Sequence, residues 1–358
     1  MKTSSPYFFC TLAIAAAVAL LLAIPARAQS SPSAELTIQT TAADHAAALA
    51  ANLRYRHAHP ANNAAGQALR AQQTAERTSS HSSTSGEREG RQILQYFGDL
   101  TYGGGQVVKS SVSHAIYLQP QSGSQCTIAT CWGDPEGFLR DIGRSDFIHV
   151  VDQYIGLFEA NRYTVGSHAT VTYSPQATPL LDTDIQAIVH AVAARSGASG
   201  YGHIYHLFLP PGQDECSDST LSQCYSPDND ATFFYCAYHS SVDFPDIGHV
   251  LYTVQPYEDV PGCQVKPGTI NGRLVDGTDN ALAHELIESI TDPDGDAWTN
   301  TSSVNYSGFE IADECVFFKD FQNEFFDSYD VPTFLIGAHV YAVQLVYSNE
   351  QHACSSAP

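Results

Sequence analysis

Basic residues are scarce in this chain: 16 Lys and Arg stand against 38 Asp and Glu among 358 residues, a formal net charge of −22. The imbalance sharpens along the sequence, with 8 basic against 33 acidic residues in 93–358. A surface of that sign repels phosphate backbones and anionic lipid, which argues against nucleic acid or membrane as a partner. Several catalytic frames are missing as well. No Gly-x-Ser-x-Gly elbow occurs, and Gly200-Tyr201-Gly202-His203 carries no nucleophile, so serine catalysis has little support. Neither a Walker-type nor a Rossmann glycine pattern is present, which removes the usual frame for a nucleotide cofactor. No Cys-x-x-Cys pair offers a cysteine-ligated metal site. Beyond the N-terminus, no apolar run is long enough to cross a bilayer.

What is present begins with an export signature. Lys2 supplies a positive start, Ala13 to Ile24 an apolar stretch, and Ala26-Arg27-Ala28 a small-x-small cleavage site, so residues 1–28 read as a signal peptide. Cys10 lies inside the apolar run, away from any lipid-attachment position. The expected product is secreted or extracellular, with the periplasm as the alternative, and carries no membrane insertion after signal removal. Its eight remaining cysteines are an even set, as a disulfide framework requires. Proximity favours Cys126–Cys131, Cys216–Cys224, Cys236–Cys263 and Cys315–Cys354. The last would stiffen the acidic segment that precedes Cys315.

Residues 29–91 are rich in Ala, Ser, Thr, His and Arg and poor in large apolar side chains. They read as a low-complexity leader or propeptide, with weak helices at Ala46–Leu53 and Ala64–Ala75, because little apolar burial is available to offset ordering entropy. Residues 92–358 are long enough for one large domain. Strand-like runs fall at Gln92–Phe97, Ser111–Leu118, Tyr163–Tyr173, Ile204–Leu209, Phe233–Tyr238, Val250–Gln255 and Val340–Tyr347. Helical spacing links Phe147, Val150, Val151, Tyr154, Ile155 and Phe158, and again Ile185, Ile188, Val189 and Val192, the latter behind a capping stretch at Asp182-Thr183-Asp184. The expected class is α+β: a mixed sheet backed by helices and braced by disulfides.

Chemistry concentrates in His284-Glu285-Leu286-Ile287-Glu288, which ends at Thr291-Asp292-Pro293. On a helix, His284 and Glu288 share a face, with Glu285 close beside them. That is the logic of the H-E-x-x-H metallohydrolase helix with Glu in place of the second His. Zinc stays plausible, while the added anionic oxygen brings manganese or calcium into range. The ordinary alternative is an amphipathic helix whose Leu282, Leu286 and Ile290 face a core. A third protein ligand is expected from Glu310 or Asp313 in Gly308-Phe309-Glu310-Ile311-Ala312-Asp313-Glu314-Cys315, where acidic groups stand among apolar ones and call for a partner. His239, at a strand end, is a further candidate, and His203, His206 and His249 lie at or near strands. Tyr341 could be a donor, although core packing is its commoner role. Asp292-Pro293-Asp294-Gly295-Asp296 opens like a calcium loop, but Ala297 and Ser303 break the pattern, and a helix-terminating turn fits better.

Ala283 to Glu288, Asp292-Pro293, Ala297-Trp298, Glu310 to Cys315, Tyr341-Ala342-Val343-Gln344 and Cys354 together resemble the phosphate-induced, exordium-like family of secreted proteins, with looser likeness through Tyr235 to Ser241. The chain departs from the plant members in having Asp292 in place of Asn and in lacking a Gly-rich stretch after Cys315. The resemblance implies an extracellular location and a zincin-like metal helix, and leaves the reaction open. Three expectations follow. The first is a zinc-dependent hydrolase, most plausibly a metallopeptidase, with His284, Glu288 and Glu310 or Asp313 as ligands and Glu285 as general base on a metal-activated water; its partner is an extracellular peptide or cell-wall substrate. The second is a non-catalytic extracellular or cell-wall-associated protein with a structural metal. The third is a disulfide-braced binding module without metal.

Overall fold

A computed structural model describes residues 36–80, 98–120, 126–173, 177–302, 307–316 and 331–358. Its centre is an eight-stranded mixed sheet. From one edge, the strands run Leu36–Gln39, Ala169–Thr172, Ser111–Leu118, His203–Phe208, Gly248–Gln255, Tyr235–Phe244 and Asn52–Pro60, with Tyr163–Val165 also on Ser111–Leu118. The first five in this order are parallel, and the last two close the sheet as antiparallel strands. The tight return between Phe244 and Gly248 needs a left-handed backbone, which glycine supplies at φ +80°.

Side-chain alternation explains why helices cover both faces. Along Ser111–Leu118, Ile116 and Leu118 join one apolar cluster while Ala115 and Tyr117 join another; Tyr205 and Leu207 part from Ile204 and Phe208 in the same way. Against the first cluster lies the helix Asp182–Ser196, through Ile185, Ile188, Val189 and Val192. Leu181 N–H donates to Asp184 at 2.8 Å, so the expected acidic stretch does cap its start. Against the second cluster lies the helix Arg273–Thr291, through Leu282, Leu286, Ile287 and Ile290. From Asp276 to Thr291 every residue of this helix is buried, its polar positions included. The chain is therefore α+β, with helices on both faces of a mixed sheet.

Four disulfides brace it at the pairs expected from proximity: Cys126–Cys131, Cys216–Cys224, Cys236–Cys263 and Cys315–Cys354. Disulfides of this number suit an oxidising, extracellular compartment. Among the described residues no helix is long and apolar enough to cross a membrane.

The main correction falls within residues 29–91. Leu36–Gln39 and Asn52–Pro60 are the two edge strands of the sheet, and Ala42–Ala50 is a capped helix between them. A segment poor in apolar side chains orders here because the sheet supplies both the ladder partner and the apolar surface. Helix Ala64–Ser80 does form where weak helicity was expected, and the signal stretch and Gln92–Phe97 lie outside the described residues. Two further expectations need shortening. The helix after Phe147 is a 3-10 turn, Ile148–Val151, followed by Asp152–Ile155, and it stops at left-handed Gly156 before reaching Phe158. Val340–Tyr347 divides into His339–Ala342 and Val346–Ser348, because Gln344 leaves the ladder to meet His284.

Candidate metal centre

Three parts of the chain converge on the C-terminal half of the Arg273–Thr291 helix. The helix presents His284, Glu285 and Glu288. The sheet presents His57 and His239, directly paired across neighbouring strands and therefore on one face, with Tyr55 and His59 two residues either side of His57. The third part is the segment leading into the short helix Asp313–Val316, which brings Glu310 and Asp313. None of the histidines and carboxylates in this set is more than 4% exposed.

The distances define a chain of donors. His284 Nε2 lies 3.1 Å from Glu288 Oε1 and 3.7 Å from Asp313 Oδ1. His239 Nε2 lies 3.7 Å from Glu288 Oε2 and 3.2 Å from Glu310 Oε2. His57 reaches both acidic residues of the third segment, with Nε2 2.7 Å from Asp313 Oδ2 and Nδ1 3.6 Å from Glu310 Oε1. Tyr55 O–H donates to Glu310 Oε1, and the Asp313 backbone N–H to Glu288 Oε1 at 3.3 Å. The His59 and His284 rings are 4.2 Å apart, centroid to centroid.

Gln344 orients the His284 ring. Its amide Nε2 donates to Ala312 O at 2.9 Å, which turns its Oε1 toward His284 Nδ1 at 3.1 Å. An acceptor there calls for a proton on Nδ1, which in the neutral ring leaves Nε2 as the lone-pair nitrogen on the side of Glu288 and Asp313. The Gln344 backbone N–H donates to Asn280 Oδ1 at 2.8 Å, and Cys315–Cys354 secures the end of the third segment. This is the outer support that metal-binding histidines usually carry.

Several buried polar atoms of this group face one another with no hydrogen bond between them. His284 Nε2, both Glu285 oxygens, Glu288 Oε2 and Asp313 Oδ1 are buried without a hydrogen bond among the described residues. No Arg or Lys among those residues forms an ion pair with Glu285, Glu288 or Asp313. Burial raises the Glu285 carboxyl well above its ordinary range, and the carboxylates of Glu288, Asp313 and Glu310 add to the rise. Burial likewise raises Glu288, reinforced by Asp313 and Glu310. Burial alone would lower His57, but Glu310 and Asp313 outweigh it and hold the ring well above the usual histidine value. Desolvation pushes His239 and His59 the other way, toward the neutral form that binds metal. Nitrogen and carboxylate oxygen in this mixture suit zinc, manganese or a related divalent ion.

The remaining candidates lie elsewhere. His203 meets His114 at 3.1 Å, and His206 is held between Thr253 and Ser113. His249 faces Asp243 and Asp294, and Tyr341 O–H donates to Asp141 at 2.8 Å. Of the calcium-like stretch, Asp292 accepts from Ala297 N–H at 2.7 Å and Asp294 from Ser241 and Tyr201, as in a helix-terminating turn. Tyr55, His57 and His59 were not expected. Their signal was period-two alternation inside a segment whose composition suggested no strand at all.

No family model, curated protein or solved structure matches this chain. The case for a function therefore rests on the buried, disulfide-braced centre itself.

Proposed function

We propose that this chain is an exported metal-dependent hydrolase of zincin-like character, with peptide bonds as its substrate class. His284 and Glu288 hold the ion, Asp313 and Glu310 complete the anionic side, and Gln344 keeps His284 in the binding tautomer. When bound, such an ion polarises a scissile carbonyl and acidifies water. Glu285 is the general base: its carboxylate takes the proton of the attacking water and returns it to the leaving amine. The observation that carries this reading is the Glu285 carboxyl, buried beside His284 with neither oxygen hydrogen-bonded. A carboxylate that is costly to bury and engaged by no donor is better explained by chemistry than by stability.

Elemental mass spectrometry on wild type, His284→Ala and Glu285→Gln, beside a peptide-substrate screen, tests this directly. Expected are bound zinc in wild type and Glu285→Gln, loss of it in His284→Ala, and turnover in wild type alone. Metal loss together with activity in Glu285→Gln would remove the general-base role.

The near-complete burial of every donor favours a second reading, a non-catalytic extracellular protein whose metal is structural. In that case Glu285→Gln leaves every function intact and alters only stability.

A further inference from the structure

We infer that the centre holds two divalent ions bridged by the carboxylate of Glu288. This rests on the metal reading above and extends it. Donors to one ion cannot lie much more than about 4.4 Å apart, twice a bond of about 2.2 Å. Two groups of possible ligand atoms each lie within 4.8 Å, His57 with Glu288 and Asp313 and His239 with Glu285 and Glu288, and His284 also approaches the shared Glu288, at 3.1 Å. Glu288 is the member they share.

The two Glu288 oxygens divide accordingly. Oε1 faces His284 Nε2 at 3.1 Å, on the side where Asp313 Oδ1 approaches the same nitrogen at 3.7 Å. Oε2 faces His239 Nε2 at 3.7 Å, on the side where Glu310 Oε2 approaches at 3.2 Å. Each side thus has its own histidine nitrogen, its own terminal carboxylate and one oxygen of the common bridge. Helix, sheet and acidic segment each contribute, so the two positions are built by the fold and are not a chance cluster on one element.

Glu285, Glu288, Glu310 and Asp313 bring four carboxyl groups into a volume almost closed to water, where an uncompensated charge is strongly unfavourable. The assignment also gives His239 and the unforeseen His57 distinct places. His239 ligates the second ion, and His57 clamps Asp313 and Glu310 from the sheet side. Glu285 lies at the second position, within 4.8 Å of His239 and Glu288, and takes there the base role proposed above.

The test is metal stoichiometry on the full chain purified without chelator and resupplied with zinc alone. Wild type should hold about two ions per chain, and His239→Ala and His284→Ala about one each, as for other two-metal hydrolytic sites. No zinc in folded wild type overturns the metal reading itself. One ion in wild type overturns the bridge and leaves the mononuclear site standing. Because either variant could fail to fold, manganese-loaded wild type supplies an independent readout by electron paramagnetic resonance. An exchange-coupled pair signal is expected, and an isolated single-ion spectrum at saturation would contradict the bridge.

Discussion

Two buried histidine–carboxylate groups in this molecule behave differently, and the contrast explains what the second is for. Around His190, Nδ1 meets Asp44 at 2.9 Å and Nε2 meets Asp246 at 3.0 Å, while Arg195 reaches Asp44 at 3.3 Å. Thr41 donates to Asp44 from both its backbone N–H and its hydroxyl, at 2.7 Å each. Donors and acceptors match. Burial works against the Asp44 carboxylate, yet Thr41, Arg195 and His190 together bring its pKa down to about 2. The group closes on itself and ties the Ala42–Ala50 helix to Asp182–Ser196. Around Glu288 the same residue types leave several buried atoms without a hydrogen bond, and burial drives Glu285 and Glu288 toward the protonated form. The first cluster is satisfied by its own donors, whereas several buried atoms of the second have no hydrogen bond among the described residues.

The largest effect that would break this comparison comes from the second cluster. Glu285→Gln is expected to lower turnover by about 10²–10⁴-fold while the metal stays bound, as removal of a general base does. Unchanged turnover would place Glu285 outside the chemistry. Next is chelation. Stripping the metal should lower the melting temperature of wild type by several degrees, and an Asp44→Asn variant should lose as much, because the His190 group does not depend on the ion. A melting curve indifferent to chelator would erase the distinction between the clusters. Leu286→Ala, which leaves every ligand in place, should cost about 2–5 kcal/mol in denaturant unfolding through the cavity it opens under the metal-site helix. Metal content should survive in the folded fraction.

The acid limb supplies a smaller effect that sharpens the contrast. Asp44 has a folded pKa of about 2 against 3.8 unfolded, so its contribution to stability is present above pH 4 and is lost as pH falls through about 2. Asp44→Asn should flatten that part of the stability profile and cost about 1 kcal/mol at neutral pH through the weakened helix cap. A wild-type acid limb in the variant would show that Asp44 does not set it. Metal bound at the proposed centre should be released in acid independently of Asp44, which elemental analysis across the same pH range would read.

Legibility in the sequence followed the range of the signal. The helix bearing His284, the strand Ser111–Leu118 and the four cysteine pairs are local patterns, and each could be read from a short window. Glu310 and Asp313 could be nominated by their chemistry, but the choice between them could not be made, since both reach the centre from one turn of chain. His57 was hidden for a physical reason. An edge strand borrows its apolar surface from the sheet it joins, so the composition of Asn52–Pro60 reflects its exposed half as much as its buried one. The place of His239 depended on the same pairing, which no periodicity within either strand encodes. Gln344 was invisible as a support because its role requires leaving a strand.

Anomalous diffraction at the zinc edge, from crystals of chelator-stripped protein resupplied with zinc, tests the central claim most directly. The account predicts anomalous density enclosed by His284, Glu288 and Asp313, resolved from a second peak beside His239 and Glu310. Saturating zinc with no peak among these residues would contradict it.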